Sequence, residues 1–458
     1  MKMNENIILK FKQYLDDFNY HLLVTLVLGE AKYYINPLPD YYETKKELKK
    51  LDEKKQKIIS FFLLGEPIEK EIIEEEMDKE VLDYLYEISA VNRDDIHYWF
   101  NSLMITSYCN CYFLVGIPYY YPTCQNDNSK PYIGTDSYWL SRLVVNQMSG
   151  DVLDLCTGSG IQAILAAKSG ARVIAVDIDD ESIKWAQFNI CLNELNEKVE
   201  LRLGNLYSAI DQPMKFDYIL SNPPFIPIPD TVDFPIAGDG GQDGRNIVRK
   251  IFNGYEKHLK TNGKAIMIGQ GIGDKYSVFL SQDLKTILKT MNVKVYYSSC
   301  FPIELQAVNF AKMANKIEGD NKNDSKLWTE IYKELGAEYL YNFTVIVKKD
   351  VAKYDENWLY DCWLKEDIPI ISYSKITQLS SNYSVTTRKN TSFIIDDEVK
   401  EFLEKVDGRK DVAEVVESMP FKYKVKYLED SQLKMLTKYM NLCSVLEREG
   451  LMIKNGVK

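Results

Sequence analysis

Long apolar runs, an excess of basic residues and clusters of metal ligands are all missing from this chain of 458 residues. No run of 18 or more apolar residues occurs, so the sequence predicts no membrane-spanning helix and no membrane partner. The first residues mix acids with bases and contain no small-residue cleavage site, a pattern that does not predict a signal peptide. We therefore expect a cytoplasmic protein.

Cysteines and histidines are too few and too scattered to predict a metal centre. The chain has eight cysteines and three histidines. Cys109 and Cys111 form the one close pair, and a single intervening residue is too short a spacing for a zinc knuckle or a redox Cys-x-x-Cys. We expect buried free thiols and no bound metal.

The charge balance is acidic, with 67 acids against 56 bases and a net charge of -11. Phosphate contacts supply most of the affinity of a general nucleic-acid binder, which therefore needs a basic surface. This balance disfavours nucleic acid as a partner, although a local basic patch would be compatible with it.

What the chain does contain is a strand, a glycine-rich turn and a helix at the start of the segment 150–229. The apolar run 152–155 predicts a strand that is covered on both faces. It leads into Thr157-Gly158-Ser159-Gly160, after which apolar residues recur at helical spacing. Such glycines let the backbone approach a ligand closely, and the free N–H groups of the helix start face that ligand.

A second strand, 172–176, ends on Asp177, about 20 residues after the glycines, where an acid accepts hydrogen bonds from ribose hydroxyls. These features alone would also suit a dinucleotide site. However, Ala163 occupies the place of the third glycine in the dinucleotide pattern. The fourth strand, 216–220, runs into Asn222-Pro223-Pro224-Phe225, for which nicotinamide enzymes have no use.

In this order and spacing the motifs resemble class I S-adenosylmethionine-dependent methyltransferases that carry an Asn-Pro-Pro-aromatic loop. The run 237–244, Ala-Gly-Asp-Gly-Gly-Gln-Asp-Gly, is similar to the Gly-Gly-x-Asp-Gly run of release-factor glutamine methyltransferases and their small-domain relatives. The resemblance covers residues 135–350. It implies S-adenosyl-L-methionine as the cofactor and an α/β fold with a seven-stranded Rossmann-like methyltransferase sheet.

The resemblance also implies roles for individual residues. The residues expected to bind the methyl donor are Asp154, Thr157, Gly158, Gly160, Asp177, Ile178, Asn205, Leu206 and Asn222. Asn205 stands where the superfamily usually has an acid, and its side-chain oxygen can accept the same hydrogen bond from adenine. Asp136, Ser137, Tyr138 and Phe225 are expected to bind the substrate. A helix cap followed by aromatic packing explains 135–138 equally well.

The loop at Asn222 suits the methylation of a planar nitrogen. The lone pair of an amide or aromatic amine is delocalised, which makes the nitrogen a poor nucleophile. The side-chain oxygen of Asn222 and the carbonyl of Pro223 can each accept one N–H and so favour positive charge on that nitrogen. Phe225 can stack on the planar group. These three are the predicted catalytic residues.

The domain organisation predicted from the pattern has three parts. Residues 1–130 read as helices followed by a hairpin, in a winged-helix-like module. Residues 131–350 form the methyltransferase domain, with an insertion at 304–336. Residues 351–458 read as a C-terminal α+β module, also winged-helix-like, that either binds a peptide by strand addition or has a structural role. The oligomeric state is not predicted.

The predicted function is N-methylation of an amide or amine, with a protein or peptide as the favoured substrate. A nucleic-acid methyltransferase acting on exocyclic amines and a small-molecule methyltransferase are the alternatives. An O-methyltransferase would need a general base near the methyl group, and His258 lies on a helix away from the strand tips. A donor-binding protein without turnover is a further alternative, which the presence of both Asn222 and Asp177 disfavours.

Overall fold

A computed structural model describes residues 3–29, 39–124, 130–211, 214–318, 325–358, 369–378, 383–387, 392–420, 439–440, 442–443, 446 and 451–454. Much of the predicted module 351–458 therefore lies outside the described residues. Within the described part of the chain, no helix is both long and apolar enough to cross a bilayer. The same part contains no cluster of three or more His, Cys, Asp or Glu side chains that could hold a metal.

The N-terminal part is helical and then turns into short strands. Helix α1 (Glu5–Asp17) buries Ile8, Phe11 and Leu15, which recur at helical spacing on one face. The elements that follow are α2 (Tyr20–Leu28), α3 (Tyr41–Leu48), α4 (Glu53–Leu64), β1 (Ile68–Glu69), α5 (Lys70–Glu76), α6 (Lys79–Glu87), β2 (Val91–Arg93), β3 (His97–Phe100), β4 (Leu103–Tyr108) and β5 (Cys111–Gly116). Strands β1, β3 and β2 form one sheet in that order, and β4 with β5 forms a separate hairpin.

The central part alternates strands and helices around one sheet. Its elements are α7 (Thr135–Val144), β6 (Asp151–Leu155), α8 (Ile161–Lys168), β7 (Arg172–Asp177), α9 (Asp180–Leu192), β8 (Val199–Leu203), β9 (Phe216–Ser221), α10 (Asn246–His258), β10 (Leu259–Gly273), α11 (Leu280–Ile287), β11 (Asn292–Pro302), α12 (Ile303–Glu318), α13 (Ser325–Glu334), β12 (Tyr339–Lys348) and β13 (Lys353–Trp358). The strand order is β13-β11-β12-β10-β9-β6-β7-β8. Strands β6 to β10 run parallel, and β12 is antiparallel to both of its neighbours. The predicted α/β class is confirmed.

Among the described residues the sheet has eight strands, so the predicted count of seven is wrong. The extra strand, β13, pairs in parallel with β11, from Asn292 opposite Lys353 to Tyr297 opposite Trp358. A short turn after β12 returns the chain to the edge of the sheet. The strand carries Lys353, Asp355 and Glu356, and charges of this kind are typical of an edge.

Helix α11 covers only Leu280–Ile287, because a turn at Asp274 precedes it. The Asp274 carboxylate accepts hydrogen bonds from the backbone N–H groups of Tyr276 and Ser277, both at 2.7 Å. This turn satisfies the N–H groups locally, and the helix begins only after it.

The insertion packs beside the loop that follows β9. Helices α12 and α13 bury Phe310, Trp328 and Tyr332 against Ile228 and Phe234 in one apolar cluster. Tyr332 also donates a hydrogen bond from its hydroxyl to the carbonyl of Pro227 at 3.1 Å. The insertion therefore supports the segment immediately after the Asn-Pro-Pro-Phe loop.

The C-terminal part contributes short strands and helices. Its described elements are β14 (Pro369–Ile371), β15 (Tyr373–Gln378), β16 (Tyr383–Thr387), β17 (Ser392–Ile395), α14 (Asp397–Lys405), α15 (Val412–Glu417) and β18 (Met452–Lys454). Strands β15, β16 and β17 form a three-stranded sheet, and β14 pairs with β18.

The sheet order creates a crevice. The chain moves outward from β6 through β7 to β8 and then returns to pair β9 on the other side of β6. In open parallel sheets, ligands bind at such a reversal point, beyond the carboxyl ends of the strands. The turn after β6, Asp177 at the end of β7 and the loop after β9 all lie at this edge.

Candidate active site

The turn after β6 is built from backbone conformations that few side chains adopt. Cys156, Gly158 and Gly160 have φ angles of 60°, 53° and 82°. A Cβ atom at Gly160 would lie 3.3 Å from the Cβ of Ala186, so this glycine allows α8 to start close to α9. The N–H of Gly158 donates to the Asp177 carboxylate at 2.8 Å, which joins the turn to the tip of β7.

Two carboxylates with raised pKa values lie beside this turn. Asp154 is 1% exposed and accepts a hydrogen bond from the Thr157 hydroxyl at 2.6 Å. Burial raises the pKa of Asp154 to about 7; the charge of Asp177 adds to this, and the Thr157 bond opposes it. Burial also raises the pKa of Asp177, against the opposing N–H groups of Gly158 and Asp179. Carboxylates in this state favour a cationic ligand, because a nearby positive charge would stabilise their ionised forms.

Apolar side chains project from the next strand tips. Ile178, directly after β7, is 51% exposed, and Leu203, at the end of β8, is 55% exposed. Asn205 is exposed, and Leu206 follows with a φ angle of 51°. Exposed aliphatic groups beside an exposed amide suit a flat heteroaromatic ring that has polar edges.

The side chain of Asn222 is held in one orientation. Its NH2 group donates to the Asp136 carboxylate at 2.8 Å and lies 3.4 Å from the Ser137 hydroxyl. Its side-chain oxygen is buried and has no hydrogen-bond partner among the described residues. A buried acceptor left unpaired costs free energy, so this oxygen is ready to accept an N–H from a ligand.

The structure gives different surroundings to the three residues of α7 that are predicted to bind substrate. Asp136 and Ser137 contact the amide of Asn222 and so orient it. Tyr138 is 1% exposed and packs edge-on against Tyr108 of β4, with ring centroids 5.1 Å apart. Successive side chains on a helix point about 100° apart, which turns Tyr138 towards the N-terminal part rather than towards the crevice.

The glycine run 238–244 supports the loop after β9 along its length. The N–H of Ile226 donates to the carbonyl of Gly238 at 3.0 Å, and the N–H of Gly240 donates to Ile226 at 2.9 Å. A Cβ atom at Gly244, where φ is 71°, would lie 2.4 Å from the carbonyl oxygen of Phe225. The run therefore tolerates no side chain at Gly244, and the close fit holds Phe225 and its half-exposed ring in position.

Asn189 is a residue that the sequence reasoning missed. This fully buried side chain of α9 donates to the carbonyl of Ser159 in the glycine turn at 3.0 Å. It also donates to the carbonyl of Leu114 at 3.1 Å and accepts from the Leu114 N–H at 2.7 Å. The sequence signal was a pair of asparagines, Asn189 and Asn193, one helical turn apart on an otherwise apolar face.

The comparisons with known proteins agree with this architecture. The family model "Methyltransferase small domain" matches residues 132–297. A putative protein N5-glutamine methyltransferase of Methanocaldococcus jannaschii is 30% identical over 183 residues, which cover 38% of this chain and 87% of that protein.

Two bacterial enzymes match over shorter stretches. The ribosomal protein uL3 glutamine methyltransferase of Bradyrhizobium diazoefficiens is 38% identical over 131 residues, covering 26% of this chain and 41% of that enzyme. The release factor glutamine methyltransferase of Koribacter versatilis is 36% identical over 144 residues, covering 29% and 51%. The chain thus spans about half or less of the length of these two enzymes.

The fold and the crevice define a class I methyltransferase. Because 87% of the Methanocaldococcus protein is covered at 30% identity, the chain belongs to the small-domain methyltransferase family that includes these glutamine methyltransferases. The methyl donor of this class is S-adenosylmethionine. The described residues fit it: Asp154 and Asp177 favour a positive charge, and Ile178 and Leu203 offer aliphatic surface to an adenine ring.

Proposed function

We propose that the protein methylates the side-chain amide nitrogen of a glutamine in a protein substrate. The observation that carries the proposal is the buried oxygen of Asn222, whose NH2 group is already bound by Asp136. An acceptor oriented in this way selects an N–H donor. Three relatives whose printed names specify glutamine methylation support an amide as that donor.

When bound, the donor would supply an electrophilic methyl group: the N–C bond would form as the S–CH3 bond breaks, S-adenosylhomocysteine would leave, and the methylated nitrogen would release one proton to water. The chain must then make an amide nitrogen attack it, although the nitrogen lone pair is delocalised into the carbonyl. Asn222 accepts one N–H through its side-chain oxygen, and the backbone carbonyl of Pro223 accepts the other. Both contacts strengthen as positive charge develops on nitrogen, so they stabilise the transition state more than the ground state. Phe225 stacks on the plane of the amide and limits its rotation.

The remaining site residues act on the donor in this proposal. Asp177 would accept hydrogen bonds from the ribose hydroxyls, and Asp154 with Thr157 would serve the positively charged end of the donor. Gly158 and Gly160 would let the backbone approach it. Ile178, Asn205 and Leu206 would hold the adenine, and Asn205 can accept from its amino group.

The outer parts of the chain are assigned to support and substrate positioning. The order of α4, β1, α5, α6, β2 and β3, with β3 central in its sheet, supports a winged-helix-like module within residues 1–130. The three-stranded sheet β15 to β17, followed by α14 and α15, supports an α+β module within 351–458. Residues 131–350 hold the methyltransferase site.

Labelling with S-adenosylmethionine carrying a deuterated methyl group tests the function. The substrates are purified bacterial uL3, a purified bacterial release factor and a lysate split into protease-treated and nuclease-treated portions. We expect label in N5-methylglutamine after digestion of protein, detected by mass spectrometry. Label that disappears with nuclease, or that enters only small molecules, would contradict the proposal.

An Asn222→Ala variant tests the role of the oxygen. We expect turnover to fall by about 100-fold or more, because a preorganised transition-state contact is lost. Affinity for S-adenosylhomocysteine, measured by calorimetry, should stay within about twofold of the wild type, since the donor is held mainly elsewhere. An equal loss of both quantities would show that Asn222 serves donor binding instead.

A further inference from the structure

A polar pair interrupts an otherwise apolar face of the sheet. On β10 and β12, Ile268 belongs to the apolar core under α7, while Ile272 and Leu340 belong to the cluster under the insertion helices. Gln270 and Asn342 lie between these cores on the same face, opposite each other in the antiparallel register. The Gln270 NH2 group donates to the side-chain oxygen of Asn342 at 2.8 Å, and both residues are half-buried.

The register places this pair level with the Asn-Pro-Pro-Phe loop. Met267 is the last residue of β10 that pairs with β9, opposite Ser221. Strand β10 then continues to Gly273, so Gln270 lies beyond the end of β9, where the loop begins. A Cβ atom at Gly269, the preceding residue, would lie 3.3 Å from the ring of Phe225. Because successive strand residues point to opposite faces, this ring lies at the same level as the pair but on the other face of the sheet.

Contacts made by helix α7 also indicate that the Gln270–Asn342 pair lies near Asn222. Trp139 of α7 donates from its indole N–H to the Thr344 hydroxyl at 3.0 Å, and Thr344 faces Ile268 in the register. Asn342 lies two residues further towards the crevice along β12, a distance of about 7 Å. Asp136, which holds Asn222, lies nearly one turn before Trp139, about 5 Å along the helix axis.

Apolar residues at these two positions would let the two cores merge, whereas a half-buried amide pair separates them with polar groups. The pair offers amide N–H and C=O groups and no charge. An extended peptide presents the same two groups at each residue. Phosphates, in contrast, are bound mainly by cations and helix N-termini.

We propose that Gln270 and Asn342 form a subsite that hydrogen-bonds the peptide backbone next to the methylated glutamine. The inference rests on the proposed function for its substrate class. The glutamine side chain enters beside Asn222 and Phe225, while the backbone of its neighbour crosses the amide pair. The Gln270–Asn342 pair then selects an extended, uncharged segment of protein and excludes free glutamine.

Two probes test the subsite on full-length protein saturated with S-adenosylhomocysteine. The first is acetyl-Ala-Gln-Ala-amide, and the second is the same peptide with its backbone nitrogens methylated. Calorimetry or NMR titration measures both affinities. The wild type should bind the first peptide about five to ten times more tightly, because one or two backbone hydrogen bonds are lost in the second. Gln270→Leu should bind both equally weakly.

Matched variants separate the subsite from general damage. Gln282→Leu, which replaces an exposed glutamine on α11, should keep the wild-type preference. If Gln270→Leu lowers the melting temperature, Gln270→Glu serves as a near-isosteric replacement; it removes the NH2 donor and should reduce the preference without altering shape.

Several outcomes would overturn the inference. They are equal binding of the two peptides by the wild type, absence of peptide binding, or an unchanged preference in Gln270→Leu. Failure of the proposed function would give a different result. If the subsite is correct and the proposed function is wrong, the peptide preference would depend on Gln270 while no N5-methylglutamine forms in any protein.

Discussion

Two buried asparagines, Asn189 on α9 and Asn193 directly after it, allow a prediction with an internal control. Asn189 and Asn193 are 0% and 4% exposed, and each caps the outer edge of the strand β5. Asn193 accepts from the N–H of Tyr112 at 3.0 Å and donates to its carbonyl at 2.7 Å, as Asn189 does with Leu114. The third bond differs. Asn193 donates to the carbonyl of Asn189 within the helix at 2.8 Å, whereas Asn189 donates to Ser159 in the donor-binding turn.

Replacing Asn189 with alanine leaves three buried backbone groups without their side-chain partner. Replacing Asn193 leaves two, because the Asn189 carbonyl still accepts from the Asn193 backbone N–H at 3.1 Å. Each orphaned group costs about 1 to 3 kcal/mol, and water entering the space left by the amide recovers part of it. We therefore expect the unfolding free energy, measured by urea denaturation, to fall by about 3 kcal/mol in Asn189→Ala and by about 2 kcal/mol in Asn193→Ala. Asn193→Ala thus serves as a control for general structural damage.

Donor affinity separates the two variants. In Asn189→Ala, the Ser159 carbonyl is released and the glycine turn can shift, so we expect affinity for S-adenosylhomocysteine to fall by about tenfold, equivalent to about 1.4 kcal/mol. In Asn193→Ala, the turn keeps its contact, and affinity should stay within about twofold. The affinity of each variant for S-adenosylhomocysteine is measured by calorimetry at a temperature where both variants are folded. Equal affinities in the two variants would refute the link between α9 and the turn.

Two further predictions concern the loop and the buried acid. Gly244→Ala should lower turnover with little change in donor affinity, because the new Cβ would lie 2.4 Å from the Phe225 oxygen; Gly336→Ala, with a similar φ of 72° and nothing within 4 Å, should leave turnover unchanged. Burial raises the pKa of Asp154 from 3.8 to about 7, so the folded state keeps a proton that the unfolded state releases. The unfolding free energy should thus fall as the pH rises between these values, and Asp154→Asn should flatten that slope in urea titrations. Equal loss of turnover in both glycine variants, or an unchanged slope in Asp154→Asn, would contradict the respective assignments.

Local sequence patterns were enough to predict the chemistry of the crevice. The strand, glycine turn and helix around Gly158, the acid at Asp177 and the loop at Asn222 are consecutive stretches whose backbone geometry follows from their own residues. Their meeting at one edge also followed, because parallel strands joined by helices bring their carboxyl ends together. The α/β class was predictable for the same reason.

Which distant residues meet depends on the packing of the whole chain and could not be read from local patterns. The partnership of Asp136 with Asn222, the burial of Tyr138, the pairing of β13 with β11 and the contact of Asn189 with Ser159 join segments that no local pattern connects. An amide or a carboxylate has the same appearance in a sequence whether it binds a ligand, orients a neighbour or caps a strand. Its role depends on which groups the packed core leaves within hydrogen-bonding distance, and that is a property of the whole fold.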